Sequence, residues 1–134
     1  TFLDASSKEV SREILKGKYI GVYFSASWCP PCKTFTPKLV NFRNVNNKDF
    51  EVVLVGVDRS AKAQANYMKR YKMPWLAIKH QSKAANLLVK KMEATSIPYL
   101  VIIAPAESIV TKNGRQELDR SPGKALDNWK KSSG

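Results

Sequence analysis

The 134-residue chain is short of sulfur, imidazole and negative charge, and each shortage excludes something. It has two cysteines, Cys29 and Cys32, and one histidine, His80. These cannot supply the usual four ligands of a structural zinc site without a carboxylate, and there is no second C-x-x-C, so no metal is read. Haem attachment needs a histidine directly after the second cysteine, where Lys33 stands. A disulfide framework is also a poor reading, because one bridge across so short a loop constrains little of the unfolded chain. No stretch approaches the roughly 18 consecutive apolar residues of a membrane span. The first residues, Thr1-Phe2-Leu3-Asp4-Ala5, have no basic region leading into an apolar run, so no signal peptide or membrane partner is read.

Acidic residues number 11 against 23 Lys and Arg, which leaves a net charge of +12. Such a charge attracts acidic partners through a long-range field that salt weakens. The basic residues come in short pairs such as Lys90-Lys91 and Lys130-Lys131, with no Arg-rich block. The basic surface is therefore read as solvated rather than as a dedicated nucleic-acid site.

What the chain does contain is enough apolar material, 43% of residues, to build one domain spanning residues 1–134. Tyr19 to Ala26 is rich in β-branched and aromatic residues and reads as a buried strand. From about Pro31, Cys32, Phe35, Leu39 and Phe42 recur at steps of three and four, the stripe of an amphipathic helix that Pro37 should kink. Phe50 to Val57 is apolar on both parities, which suits a central strand. Ser60 is the candidate cap of a helix with Ala61, Ala65 and Met68 inward, ending near Met73 before Pro74. Trp75 to Ile78 is a short apolar run, and Ala84 to Met92 reads as a helix with Ala84, Leu88 and Met92 aligned. Tyr99 to Ala104 and Ser108 to Thr111 form a hairpin around Pro105-Ala106-Glu107, and Leu126 and Trp129 anchor a terminal helix. The alternation of β and α elements predicts an α/β fold, a central mixed sheet with helices on both faces.

The two cysteines sit where a strand hands over to a helix. At that spacing their β-carbons lie close to disulfide distance. Cys29, at the helix start, faces unsatisfied backbone N–H groups and the positive end of the dipole, which favour a thiolate, so it is the predicted nucleophile. Cys32, one turn inside, is predicted to stay a thiol and to attack the mixed disulfide formed on Cys29. Pro30 and Pro31 remove backbone freedom in the first turn and hold the sulfurs in register. Trp28 offers a flat apolar surface beside Cys29.

Trp28-Cys29-Pro30-Pro31-Cys32, with Pro37 five residues on, resembles the thioredoxin superfamily. The runs Phe24 to Lys33, Phe35 to Leu39, Met73 to Ala77 and Ser96-Ile97-Pro98-Tyr99-Leu100 resemble its tryparedoxin and nucleoredoxin branch. The resemblance implies a thioredoxin-like fold with a cis Ile97–Pro98 bond facing the cysteines and pairing with an extended substrate segment. It implies a monomeric thiol–disulfide oxidoreductase without metal or organic cofactor. Its acceptors would be disulfide-containing, peroxiredoxin-like proteins, and its donor a dithiol such as trypanothione or a thioredoxin reductase. Substrate contacts are assigned to Trp28, Pro30, Pro31, Ile97, Pro98 and Trp75, although Trp75 also reads as core. The alternative is a redox-switched binding module of nucleoredoxin type.

Three departures stand out. Thioredoxins proper place a buried Asp where this chain has Tyr23, so the proton of Cys32 must pass to water or to Tyr23. The acidic segment of tryparedoxins is replaced by Val57-Asp58-Arg59, where Arg59 would repel a cationic donor and Asp58-Arg59-Ser60 looks closer to nucleoredoxins. Asn113-Gly114-Arg115 matches the tryparedoxin basic segment only loosely. Lys33 is read either as support for the Cys29 thiolate or as a surface lysine. His80 is read as a solvated loop residue rather than a base. Sparing cysteine usage leans towards a reducing cytoplasm or nucleus.

Overall fold

The computed structural model describes residues 2–4, 6, 8–106 and 108–132; Glu107, expected in the hairpin turn, lies outside them. In chain order the strands are β1 (Phe2–Leu3), β2 (Glu9–Val10), β3 (Tyr19–Ser25), β4 (Phe50–Gly56), β5 (Leu76–Ile78), β6 (Tyr99–Ile103) and β7 (Ile109–Thr111). The helices are α1 (Pro30–Val45), α2 (Ala61–Arg70), α3 (Lys83–Lys91), α4 (Gly114–Arg120) and α5 (Ala125–Ser132), with a 3-10 helix at Arg12–Leu15. Among the described residues no helix is long and apolar enough to cross a membrane.

The strands form one mixed sheet in the order β2-β1-β5-β4-β3-β6-β7. β3, β4 and β5 are parallel, and β6 runs antiparallel to β3. Parallel strands need crossovers, and right-handed crossovers in one direction put α1 and α2 on the same face. The return from β5 to β6 then puts α3 on the other. The two cores agree: Phe35, Leu39, Tyr67, Met68 and Trp129 pack together on one face, and Ala85 and Met92 join Val22, Phe24 and Val55 on the other. Helices thus flank both faces, as the alternation of elements predicts.

Local physics explains the elements around the cysteines. Cys29 caps α1, its Sγ accepting from the Cys32 N–H, and Pro30 and Pro31 fill the first turn, where a missing N–H costs nothing. The expected stripe is buried, with Thr36 added to it. The helix is continuous past Pro37, whose ring leaves the Lys33 carbonyl without its helical donor. At its far end Arg43 grips Glu51 of β4 through two bonds of 2.9 Å. That fork lets a carboxylate 3% exposed sit in an otherwise apolar central strand.

Several expectations need correction. Met68 faces inward as expected, but Ala61 is exposed and Ala65 half-buried, and α2 turns Gln64 and Tyr67 inward in their place. Tyr67 has buried hydroxyl partners, and Gln64 Nε2 donates to the Ile78 carbonyl at 3.3 Å, although its Oε1 is buried without a partner. Ala84 is exposed and Ala85 takes the inward place in α3, where it joins Met92 in the core with Leu88 and Val89 packed against it. The two-residue strands β1 and β2, the 3-10 helix and the polar helix α4 were not anticipated, being too short or too hydrophilic for periodicity to show.

Candidate active site

Sheet register builds the site. Phe24 of β3 lies opposite Tyr99 of β6, so the residues just before β6 meet the residues just after β3. Ile97–Pro98 is cis, and the Ile97 carbonyl accepts from Cys29 Sγ at 3.8 Å. Both cysteines are unbridged; Cys29 is 4% exposed and Cys32 fully buried, so only Cys29 reaches the surface. Trp28 stands out beside it, 56% exposed, and Pro30 and Pro31 are exposed on the rim. Ile97 is half-buried and Pro98 buried.

The structure therefore brings together five of the six residues assigned to substrate contact and leaves out Trp75. Trp75 is 1% exposed and meets Tyr23 edge-on, with centroids 6.3 Å apart and planes at 90°. Its ring belongs to the core and offers no surface to a substrate, so the core reading holds and the border reading does not.

Behind Cys32 lies a set of buried hydroxyls that sequence reasoning missed apart from Tyr23. Tyr23 Oη is 2.8 Å from Thr36 Oγ1, Thr36 Oγ1 is 2.8 Å from Tyr67 Oη, and Tyr67 Oη is 2.7 Å from Ser25 Oγ. Thr36 also donates to the Cys32 carbonyl at 2.8 Å. Each hydroxyl has one proton, so that last bond fixes the direction of the others. Thr36 has spent its proton, so Tyr23 and Tyr67 both donate to it. Tyr67 has then spent its own, so Ser25 donates to Tyr67.

The electrostatics of this pocket favour the thiol. Burial pushes Cys32 from an ordinary 9.0 up to about 11, Cys29 adds to the rise, and hydrogen bonds from Ser25 and the Ala26 backbone offset part of it. Burial likewise raises Tyr23 and Tyr67, so neither phenol ionises near neutral pH. Tyr23 donates to Thr36 in this arrangement and is not an acceptor for the Cys32 proton. No signal in the sequence joins Ser25, Thr36 and Tyr67, except that Thr36 follows Cys32 by one helical turn.

A second group braces the front of the site. Asp58, 2% exposed, accepts from the Ser27 backbone N–H at 3.0 Å and the Ser27 hydroxyl at 2.5 Å. His80 Nε2 donates to the Asp58 carbonyl oxygen. His80 is half-buried and bonded, which corrects its reading as a solvated loop residue. Asp58 thus turns inward while Arg59 and Lys33 stay exposed.

A reduced C-P-P-C pair capping a helix, under a cis-proline loop on a mixed sheet, defines the thioredoxin class of fold. A family model described as thioredoxin-like matches residues 17–109. Tryparedoxin of Trypanosoma brucei brucei is 39% identical over 133 residues, 96% of this chain and 91% of that protein. Nucleoredoxin of Xenopus laevis is 36% identical over 119 residues, 86% of this chain and 28% of that protein. The chain thus spans little more than a quarter of the nucleoredoxin it matches. Tryparedoxin I from Leishmania major superposes with a TM-score of 0.84 at 32% identity, covering 96% of this chain and 90% of that one. A tryparedoxin II complexed with glutathionylspermidine gives 0.81 at 35% identity, covering 92% and 87%. The chain belongs to the thioredoxin-like family, with tryparedoxin and nucleoredoxin as its relatives.

Proposed function

We propose that the protein is a thiol–disulfide oxidoreductase that reduces disulfides in acceptor proteins, peroxiredoxin-like enzymes among them. The observation that carries this reading is the asymmetry of the pair, with Cys29 at the surface beneath Ile97 O and Cys32 dry behind it. The Cys29 thiolate attacks one sulfur of the acceptor disulfide, forming a mixed disulfide and releasing the other sulfur as a thiolate that takes up a proton. Cys32 gives up its proton to water and attacks Cys29 Sγ, breaking the mixed disulfide and expelling the second acceptor sulfur as a thiolate that takes up a proton. The acceptor leaves as a dithiol, and the two electrons it gained are those lost in forming the Cys29–Cys32 disulfide. A dithiol or a flavoprotein reductase then restores the pair. Trp28 and the Ile97–Pro98 backbone hold the acceptor segment, with Pro30 and Pro31 on its rim.

Glutathionylspermidine, the ligand of the tryparedoxin II relative, carries a cationic polyamine. In this chain the exposed residue of the Asp58–Arg59 turn is a cation, which works against a donor of that class. The test is turnover: Cys29→Ser abolishes reduction of a protein disulfide, and Cys32→Ser accumulates the mixed disulfide on gels run without reductant. Intact turnover in Cys29→Ser sinks the assignment of the nucleophile. Slow exchange together with a redox-dependent affinity for a partner would favour the binding-module reading instead. The match to a quarter of a longer nucleoredoxin is what keeps that reading open.

A further inference from the structure

The net charge of +12 is not spread evenly. Residues 59–92 contain nine Lys and Arg and no Asp or Glu, so a quarter of the chain holds nine of the twelve net charges. All nine are exposed, and none makes an ion pair among the described residues. Elsewhere Lys16, Lys38, Arg43, Lys112 and Lys130 each meet a carboxylate. A solvated face needs no such segregation of sign.

Topology aims part of this charge at the cysteines. β3, β4 and β5 are parallel, so their carboxyl ends share one end of the sheet. Cys29 follows β3, Arg59 follows β4 and Lys79 follows β5, with Lys62 and Lys83 in the first turns of α2 and α3. The three turns are tied in a row, His80 to the Asp58 carbonyl and the Asp58 carboxylate to Ser27. Neighbouring strands lie about 4.8 Å apart, so the row places Lys79 two strands, about 10 Å, across the sheet end from the Cys29 turn. Asp58, buried and bonded to the neutral Ser27, offsets one positive charge of the row, and Arg59, Lys62, Lys79 and Lys83 leave it net positive.

We propose that the carboxyl ends of β4 and β5, marked by Arg59, Lys62 and Lys79, form a docking track for an acidic polypeptide segment that brings a disulfide to Cys29. The proposal rests on the thiol–disulfide reading above and names its class of acceptor. A polypeptide fits better than a nucleic acid because the track leads to a nucleophilic sulfur, and its occupant must deliver an electrophilic one. The track acts on encounter: opposite charge along it raises the association rate, and salt removes the advantage.

The experiment follows single-turnover oxidation of the reduced protein by two disulfide peptides that differ only in having four Glu or four Gln beside the cystine. The Glu peptide reacts about tenfold faster at low salt, within the range that electrostatic steering supplies. In the triple variant Arg59→Glu, Lys62→Glu, Lys79→Glu the ratio of the two rates falls to about one or below. A control with the same change in net charge, Lys48→Glu, Lys124→Glu, Lys131→Glu, keeps most of the preference; its three lysines are exposed and outside the segment. Equal rates for the two peptides with the natural chain overturn the track, as does a control that loses the preference equally. A triple variant that loses binding to a single-stranded oligonucleotide but keeps its peptide preference overturns it in favour of nucleic acid. Inertness toward both peptides and toward the neutral hydroxyethyl disulfide overturns the thiol–disulfide reading itself, and the track with it.

Discussion

The two sides of the cysteine pair are built from opposite materials. Behind Cys32 are neutral, fully buried hydroxyls and aromatic rings; in front of Cys29 are an exposed indole, exposed prolines and unpaired cations. The rear can hold a proton in place because each hydroxyl has a fixed partner in a dry environment, where a mismatched group is costly. The front cannot fix anything so closely, since water screens it, but it can select by shape and charge. Chemistry and selection are thus separated by the thickness of one helical turn.

The comparison breaks most sharply by packing. Leu39→Ala, beneath the hydroxyl set, removes a fully buried side chain and is expected to cost about 2–5 kcal/mol in denaturant unfolding. Tyr67→Phe comes next. It leaves Ser25 and Thr36 each short of a partner and should destabilise by about 1–3 kcal/mol by the same measurement. Ser25→Ala removes a hydrogen bond that holds Cys32 down, so the alkaline rise in the rate of mixed-disulfide resolution moves to higher pH. An unchanged profile would show that Ser25 has no part in proton handling.

Stability should respond to alkali in a definite sense. The unfolded chain releases the Cys32 proton near its ordinary 9.0, whereas the folded chain holds it to about 11. Between those values the folded state binds more protons, so stability present below pH 9 is lost as pH rises towards 11. The raised Tyr23 and Tyr67 push the same way. Thermal unfolding of the reduced protein across that window checks it, and a midpoint that rises with pH would contradict it. The smallest effect on stability belongs to the front: Trp28→Ala should change it by no more than about 0.5 kcal/mol while slowing exchange with protein disulfides.

Much of the fold was legible because its long elements carry strong periodicity. β3, β4 and α1 are a β-branched run, an apolar run and a stripe of Cys32, Phe35, Leu39 and Phe42. Ser60 was legible as a cap because a hydroxyl before a helix has one obvious use. Ala61 and Ala84 misled because alanine is apolar enough to join either face, and a rotation of one residue decides which is buried. Trp75 was ambiguous because a tryptophan packs as readily on a rim as in a core. Tyr67 and Gln64 were missed because a polar atom counts against burial until its partner is known.

By itself the sequence determined the C-P-P-C pair, its place between a strand and a helix, and an excess of positive charge. Those follow from local chemistry: spacing, capping and composition. Tertiary structure decided that Ile97 would face Cys29, which residue spacing could not show and only the family resemblance implied, because it depends on the register of β6 against β3. It alone decided that Ser25, Thr36 and Tyr67 would share protons, that Asp58 would turn inward, and that Arg59 and Lys79 would share the cysteines' end of the sheet. Each is a contact between segments far apart in the chain, fixed by a mixed sheet in which β3, β4 and β5 end on the side where β6 begins.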